Sequence, residues 1–323
     1  MKKVLVTTTS FQDTPGSHQD LLNSCNWQVS YARGPLSENQ ILELVGDFDG
    51  IICGDDVFSR RVFEKALPRL QFLSKYGIGV DKIDVQAATE LGIPVFFTPG
   101  VNHTTVAEHT FMLMLMLVKK APFHINAVRQ GQWKRQTGNE IWGKTIGIVG
   151  LGRIGKEVAL RAKAFGLKVI GYDVYWDDVF ASEHGITRAA SYDQVWSDAD
   201  FITLHTNLNA ETHHLVRNET LAKMKDGVYI VNCARGEIVH TQDMVQALQS
   251  GKVAGYGTDV LDDEPPRPDH ALLSLENCII TPHIGSRTYE SVVRQATKSI
   301  QNLKNAFEGK QPLAQVNQVP IVK

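Results

Sequence analysis

Cysteine is scarce in this 323-residue sequence: Cys25, Cys53, Cys233 and Cys278 lie far apart and form no CxxC pair. That spacing argues against a zinc ribbon and a disulfide framework, and it leaves reduced, mostly buried thiols. Long hydrophobic runs are missing too, since FMLMLMLV at 111–118 falls far short of the roughly 20 residues a membrane-spanning helix requires. The opening MKKVLVTTTS turns polar too soon for the core of a secretory signal. Charge of either sign is balanced to a formal net of -2, which offers no broad basic face to nucleic acid or an anionic bilayer. The expectation is a soluble, cytoplasmic protein with no nucleic-acid or membrane partner.

The residues present are those of an ordinary globular protein, 43% hydrophobic and 21% charged, in a chain long enough for two cores. Apolar strand-like runs alternate with helical patterns almost throughout, which predicts α/β class with parallel sheets covered on both faces. KVLVTTT, WQVSYA, DGIICG, LQFLSKY and IPVFF form a first series. TIGIVG, LKVIGYD, ADFITLHT, GVYIVNC, VAGYGTD and NCIITPH form a second. Two doubly wound, Rossmann-like domains follow, with an active-site cleft expected between them. Residues 1–99 with 288–323 make one discontinuous domain, because the last helical stretch, 288–308, returns to the first sheet. Residues 100–287 make the other. The stretch AEHTFMLMLMLVKKAPFHINAVRQG reads as one helix, apolar nearly all round in its first turns, and suits either a buried core or a subunit interface.

GLGRIG, with Gly150, Gly152 and Gly155, would be weak evidence alone. Here a strand precedes it, a helix follows, and Asp173 ends the next strand about twenty residues on, as in the dinucleotide-binding fingerprint. The glycines let the backbone approach a pyrophosphate, which the helix N-terminus attracts. Asp173 accepts ribose hydroxyls and repels a 2′-phosphate, and Val174, Tyr175 and Trp176 bring no arginine. NAD is expected over NADP.

Three further strands lead to Arg235, Glu264 and His283, and residues that follow parallel strands emerge at one sheet edge. Reduction of a 2-oxo acid needs a cation for the carboxylate, a donor to the carbonyl oxygen and a source of one proton. Arg235 provides a planar two-pronged cation. His283 titrates near neutrality, and Glu264 beside it favours the imidazolium. Taken singly, each has a plainer reading: a paired arginine, a turn histidine, and a solvated acidic loop with Asp259, Asp262 and Asp263. His103, His109, His124, His213 and His214 lack metal-ligand spacing, so no metal is expected. His205 fits packing as well as function.

Together GLGRIG, NCARGEIV, DVLDDEPP and TPHIGS, with SKYGIGVDKID and TPGVNHTTVAEH, resemble the D-2-hydroxyacid dehydrogenase family, in particular its phosphoglycerate dehydrogenase-like branch. The resemblance covers nearly the whole chain. It implies an NAD-dependent oxidoreductase interconverting a small D-2-hydroxy acid and its 2-oxo acid, with Arg235 binding the acid, His283 as acid/base and Glu264 orienting the histidine. It implies that Gly77, Ile78 and Gly79 hold the carboxylate through backbone amides, with Asn102 approaching substrate and Lys75 and Tyr76 shaping the pocket. Arg153 and Ile154 would touch the pyrophosphate, and Thr206, Cys233 and Asp259 would line the cofactor cleft. The family also implies a homodimer joined through the helix near 102–120, and domain closure about hinges near Pro99 and Ile284.

Three departures stand out. LHTNLNAET lacks the proline common after that strand, CGDD replaces an arginine after the third strand, and no appended regulatory domain is expected after the final helical stretch. Arg135 in QWKRQ matches an arginine of that branch and suits a phosphate contact or a surface charge. Corepressors sharing the fold supply a different reading, an NAD(H)-sensing interaction protein, and phosphonate or formate oxidation on the same fold supplies a third.

Overall fold

The first apolar runs form β1 (Lys3–Val6), β2 (Gln28–Tyr31), β3 (Gly50–Cys53), β4 (Phe72–Lys75) and β5 (Val95–Phe96). The computed structural model, which describes residues 1–321, arranges them as a parallel sheet in the order β2-β1-β3-β4-β5. Every residue of β3 and β4 is buried, which is why those segments read as unbroken apolar runs and not as alternation. The helix Tyr289–Phe307 covers this sheet. Thr288 caps it by accepting from the Ser291 amide at 3.3 Å, and Val292, Ala296, Ile300 and Leu303 recur at helical spacing, all buried. Burial of the three larger side chains contributes roughly 1.5–3 kcal/mol each. Ser74 Oγ also donates to the Ser299 carbonyl at 3.0 Å, tying β4 to a helix 225 residues away in sequence.

The second sheet holds β6 (Thr145–Val149), β7 (Lys168–Tyr172), β8 (Thr187–Arg188), β9 (Phe201–Leu204), β10 (Val228–Asn232), β11 (Val253–Thr258) and β12 (Cys278–Ile280). Their order is β12-β11-β10-β9-β6-β7-β8, again parallel. The chain runs outward from β6 through β7 to β8, then crosses back to β9 on the other side of β6. A ligand crevice opens where the strand order reverses in such sheets. β8 is two exposed residues long, too short to leave a periodic signal, and it had no counterpart among the sequence-derived strands.

The chain divides into two units, one of Met1–Asn102 with the segment from Arg287 onward, the other His103–Ser286. The seam falls at Asn102, just ahead of the helix His103–Val118, and not at Pro99. That helix lies in the core of the second unit, with Phe111, Leu113, Met114, Leu117 and Val118 buried. It approaches β11 closely because Gly255 and Gly257 carry no side chain: a Cβ there would come within 3.0 Å of Leu117 and 3.1 Å of Leu113.

The expected single helix over 107–131 is instead two, His103–Val118 and Ala121–Arg129, bent by 68°. Pro122 has no amide to offer the Val118 carbonyl, which accepts from the Asn139 amide at 2.8 Å instead. Lys120 takes the turn at φ +51°. No single helix among the described residues is long and apolar enough to cross a membrane.

Candidate active site

β6 ends at Val149, and the three glycines that follow have three different tasks. Gly150 turns the chain at φ +94°, and a Cβ there would lie 2.7 Å from the His205 carbonyl oxygen, so the loop after β6 passes against the loop after β9. Gly155 sits where a Cβ would collide with the Gly150 carbonyl oxygen; its absence lets the helix Arg153–Ala164 dock on the loop. Gly152 has nothing within 4 Å of an added Cβ. It is the N-cap of that helix and makes no side-chain cap bond. The result is an open cradle over unpaired helix amides, the arrangement a pyrophosphate takes. Exposed Arg153 and half-buried Ile154 open the helix. Thr206 Oγ1 is buried without a hydrogen-bond partner, a polar atom that a ligand beside the loop would satisfy. Both ring nitrogens of His205 are buried and without partners, and burial depresses its pKa to about 3, so it stays neutral.

Asp173 follows β7. Its carboxylate accepts from the Leu151 amide at 2.6 Å and the Tyr175 amide at 2.8 Å, which ties it to the glycine loop and restricts its rotation. Tyr172, Asp173, Arg188, Ala189 and Gln194 line a groove beside it.

The remaining sequence-derived residues of this unit follow β10, β11 and β12 at the same sheet edge. Arg235 leaves β10 through a loop in which Asn232 accepts from the Ala234 amide at 3.0 Å and donates to the Arg235 carbonyl at 2.8 Å. Arg235 Nη1 donates to the Ala234 carbonyl at 2.8 Å. Next to it, Gly236 lies against the backbone of Leu261 and Asp262, leaving no space for a Cβ. The arginine loop thus rests on the loop that carries Glu264. Glu264 Oε1 accepts from the Leu261 amide at 2.8 Å, and its Oε2 lies 2.8 Å from His283 Nδ1. A carboxylate in that position places a proton on Nδ1 and assigns proton exchange with a substrate to Nε2.

His283 itself stands at φ +52°, an uncommon conformation for a non-glycine residue. Its loop is clamped from below by Asp259, which is buried and accepts from Thr281 Oγ1 at 2.6 Å, the Ile284 amide at 2.9 Å and the Gly285 amide at 2.6 Å. His109, from the long helix, lies 3.3 Å from the same carboxylate and 2.8 Å from Thr281 Oγ1. Burial pushes the Asp259 carboxyl up, but the bonds from His109, Thr281 and the Ile284 amide outweigh it and hold the group below the usual carboxylate range. Asp259 was expected to line the cofactor cleft; what these bonds show is that it anchors the loop that carries His283. His109 had been set aside with the other histidines, and no spacing rule in the sequence pairs it with Asp259.

All four thiols are free, with Cys53 buried and Cys25, Cys233 and Cys278 only partly covered. The Cys233 sulfur itself is enclosed although the residue is partly exposed; burial and the Thr110 hydroxyl act on it in opposite directions, and burial wins and pushes its thiol up to about 12. Arg135 lies exposed in an irregular stretch, residues 132–140, where no regular element fixes its position.

The other unit carries Lys75, Tyr76, Gly77, Ile78, Gly79 and Asn102. Gly77 turns the chain after β4 at φ +133°, and its amide donates to Thr98 Oγ1 at 2.9 Å. Lys75 is buried; its ammonium donates to the Gly54 carbonyl at 2.5 Å and to Asp55 at 2.6 Å. Tyr76 is buried, with its hydroxyl 3.3 Å from Ser10 Oγ, and burial raises its pKa to about 12. Asn102 is buried at the end of this part of the chain.

Residues 111–285 match the family described as D-isomer specific 2-hydroxyacid dehydrogenase, NAD binding domain. The chain belongs to that family, and its second unit is an NAD-binding domain. It is 38% identical over 312 residues to D-3-phosphoglycerate dehydrogenase of Methanocaldococcus jannaschii, an alignment covering 96% of this chain and 58% of that one; the chain therefore spans little more than half of that relative. It is 37% identical over 291 residues to glyoxylate reductase of Korarchaeum cryptofilum, covering 88% and 87%. D-lactate dehydrogenase from Aquifex aeolicus, solved in complex with NAD and lactic acid, superimposes with a TM-score of 0.83 at 30% identity, covering 95% of this chain and 96% of that one.

Proposed function

We propose that this protein is an NAD-dependent dehydrogenase that interconverts a small D-2-hydroxy acid and its 2-oxo acid. The observation that carries the reading is the 2.8 Å contact between His283 Nδ1 and Glu264 Oε2, at the sheet edge that also bears Arg235 and the glycine loop. In the reducing direction His283 gives a proton from Nε2 to the carbonyl oxygen, and Glu264 stabilises the imidazolium before that transfer. Arg235 binds the substrate carboxylate and polarises the carbonyl. NADH supplies the hydride when bound. In the other unit the backbone amides of Ile78 and Gly79 suit a carboxylate, while the Gly77 amide is already given to Thr98 Oγ1.

The favoured substrate is unphosphorylated. Asp55 and Asp56 follow β3 where the phosphoglycerate branch carries an arginine, and Lys75 is already engaged by Asp55 and Gly54. Loss of NADH absorbance with glyoxylate, hydroxypyruvate, 2-oxoglutarate, phosphohydroxypyruvate and phosphonopyruvate tests this. The expected result is a kcat/KM at least about tenfold higher for glyoxylate or hydroxypyruvate than for the phosphorylated acid, the scale of one charge-assisted contact. Turnover of none of them would refute the dehydrogenase reading, and a preference for phosphohydroxypyruvate would refute the substrate class.

The protein works as a cytoplasmic homodimer joined through the helix His103–Val118 and its neighbours. Met112, Ile125, Val128, Trp133 and Trp142 are exposed large apolar residues on this part of the chain, a concentration that marks interaction surfaces. Light scattering behind a sizing column checks this, and a monomer at micromolar concentration would refute it.

A further inference from the structure

The residues directly after Asp173 bring no arginine, yet the fold returns one from farther along the chain. Arg188 ends β8, whose pairing sets Thr187 against Ile170 and Arg188 against Gly171, and the Ala189 amide donates to the Gly171 carbonyl at 2.8 Å. That register puts the Arg188 backbone beside the strand two residues ahead of Asp173, and the two side chains line the same groove. The guanidinium lies 5.6 Å from the centroid of the Trp176 ring. It also lies 3.9 Å from Asp178, in a pair whose side chains are 58% and 83% exposed. Contacts of that kind are weak and solvent-screened, so they do not prevent the guanidinium from turning to a stronger anion.

Resting on the reading that the adenosine of NAD lies along this groove, we propose that Arg188 is a latent 2′-phosphate receptor and that Asp173 is the group that excludes NADP(H). The two oxygens of Asp173 are held by the Leu151 and Tyr175 amides, so the carboxylate cannot swing aside when a 2′-phosphate approaches. Its repulsion decides the selectivity. Replacing Asp173 with a small neutral residue does more than remove that charge. The Leu151 and Tyr175 N–H groups lose their acceptor and become donors to a phosphate, with the Arg188 guanidinium on the groove wall as the cation. One substitution therefore converts an excluding site into a receiving one, and the sequence neighbourhood of Asp173 alone conceals this.

Isothermal titration with 5′-AMP and 2′,5′-ADP reads this directly on the full-length protein, independently of turnover. The quantity is the ratio of the two affinities. Asp173→Ser should shift it towards 2′,5′-ADP by about a hundredfold or more, and adding Arg188→Ala should remove at least about tenfold of that gain, the scale of a charge-assisted phosphate contact. Asp173→Ser with Arg188→Lys should restore part of it, since a point charge replaces a fork. An unchanged ratio in Asp173→Ser would overturn the proposal, as would a double variant with Arg188→Ala that keeps the full gain. A parent protein that binds neither nucleotide would instead overturn the placement of adenosine in this groove, and the proposal with it. Binding of 5′-AMP by each variant confirms that the groove has folded.

Discussion

Asp259→Asn isolates the clamp beneath His283. The carboxylate accepts from Thr281 Oγ1, the Ile284 amide and the Gly285 amide, with His109 beside it. An isosteric amide must turn its NH2 towards either the Gly285 amide or the Thr281, Ile284 and His109 side, where a donor then faces a donor in a buried place. Losing one hydrogen bond to a charged acceptor and stranding its donor costs about 3 kcal/mol. For a unit of this size that lowers Tm by roughly 6–12 °C. The folded carboxyl titrates below its ordinary value, so its stabilisation is complete above the unfolded value near about 3.9 and fades as pH falls towards the folded one. The gap in Tm between parent and variant should therefore be full at pH 7 and shrink below pH 4. Thermal melts followed by circular dichroism across that range provide the measurement. Steady-state assays should also show a lower kcat, because the displaced loop carries His283, the proposed acid/base. A gap that is absent at pH 7, or unchanged at low pH, would refute the account of Asp259 as a charged clamp.

His283→Asn should lower kcat by about two powers of ten or more, the usual acid/base contribution, while NADH still quenches tryptophan fluorescence; a kcat near the parent's would remove His283 from the chemistry. Arg235→Lys should raise KM for the 2-oxo acid more than it lowers kcat, because a point charge replaces a bidentate fork, and an unchanged KM would contradict carboxylate binding there. Gly152→Ala and Gly155→Ala should separate ligand binding from folding. The first meets no protein atom within 4 Å and should keep its Tm while weakening NADH binding, read by titration. The second collides with the Gly150 carbonyl and should lower Tm by several degrees, of order 1–3 kcal/mol of overpacking.

Much of the fold was legible because parallel sheets write themselves as apolar runs with helical spacers. Ten of these runs and the eleventh at NCIITPH coincide with β1 to β7 and β9 to β12. β8 was missed because two exposed residues carry no period, and with it went Arg188. The bend between Val118 and Ala121 was missed although Pro122 signals it, because apolar composition continues across the break. At the site, the spacing of GLGRIG to Asp173 was readable since both ends lie on one βαβ unit. That Arg235, Glu264 and His283 leave one sheet edge was readable, because each follows a strand and parallel strands share an edge.

The sequence by itself determined the class of fold, the nucleotide loop and the residue types available for the proposed hydride chemistry, since these depend on local spacing and on strand polarity. Tertiary structure alone decided which side chains meet, Glu264 with His283 and Asp259 with the 281–285 loop and His109, and that Arg188 and Asp173 line one groove. Those pairings join segments 15 to 150 residues apart. They depend on sheet order and register, which no local pattern encodes.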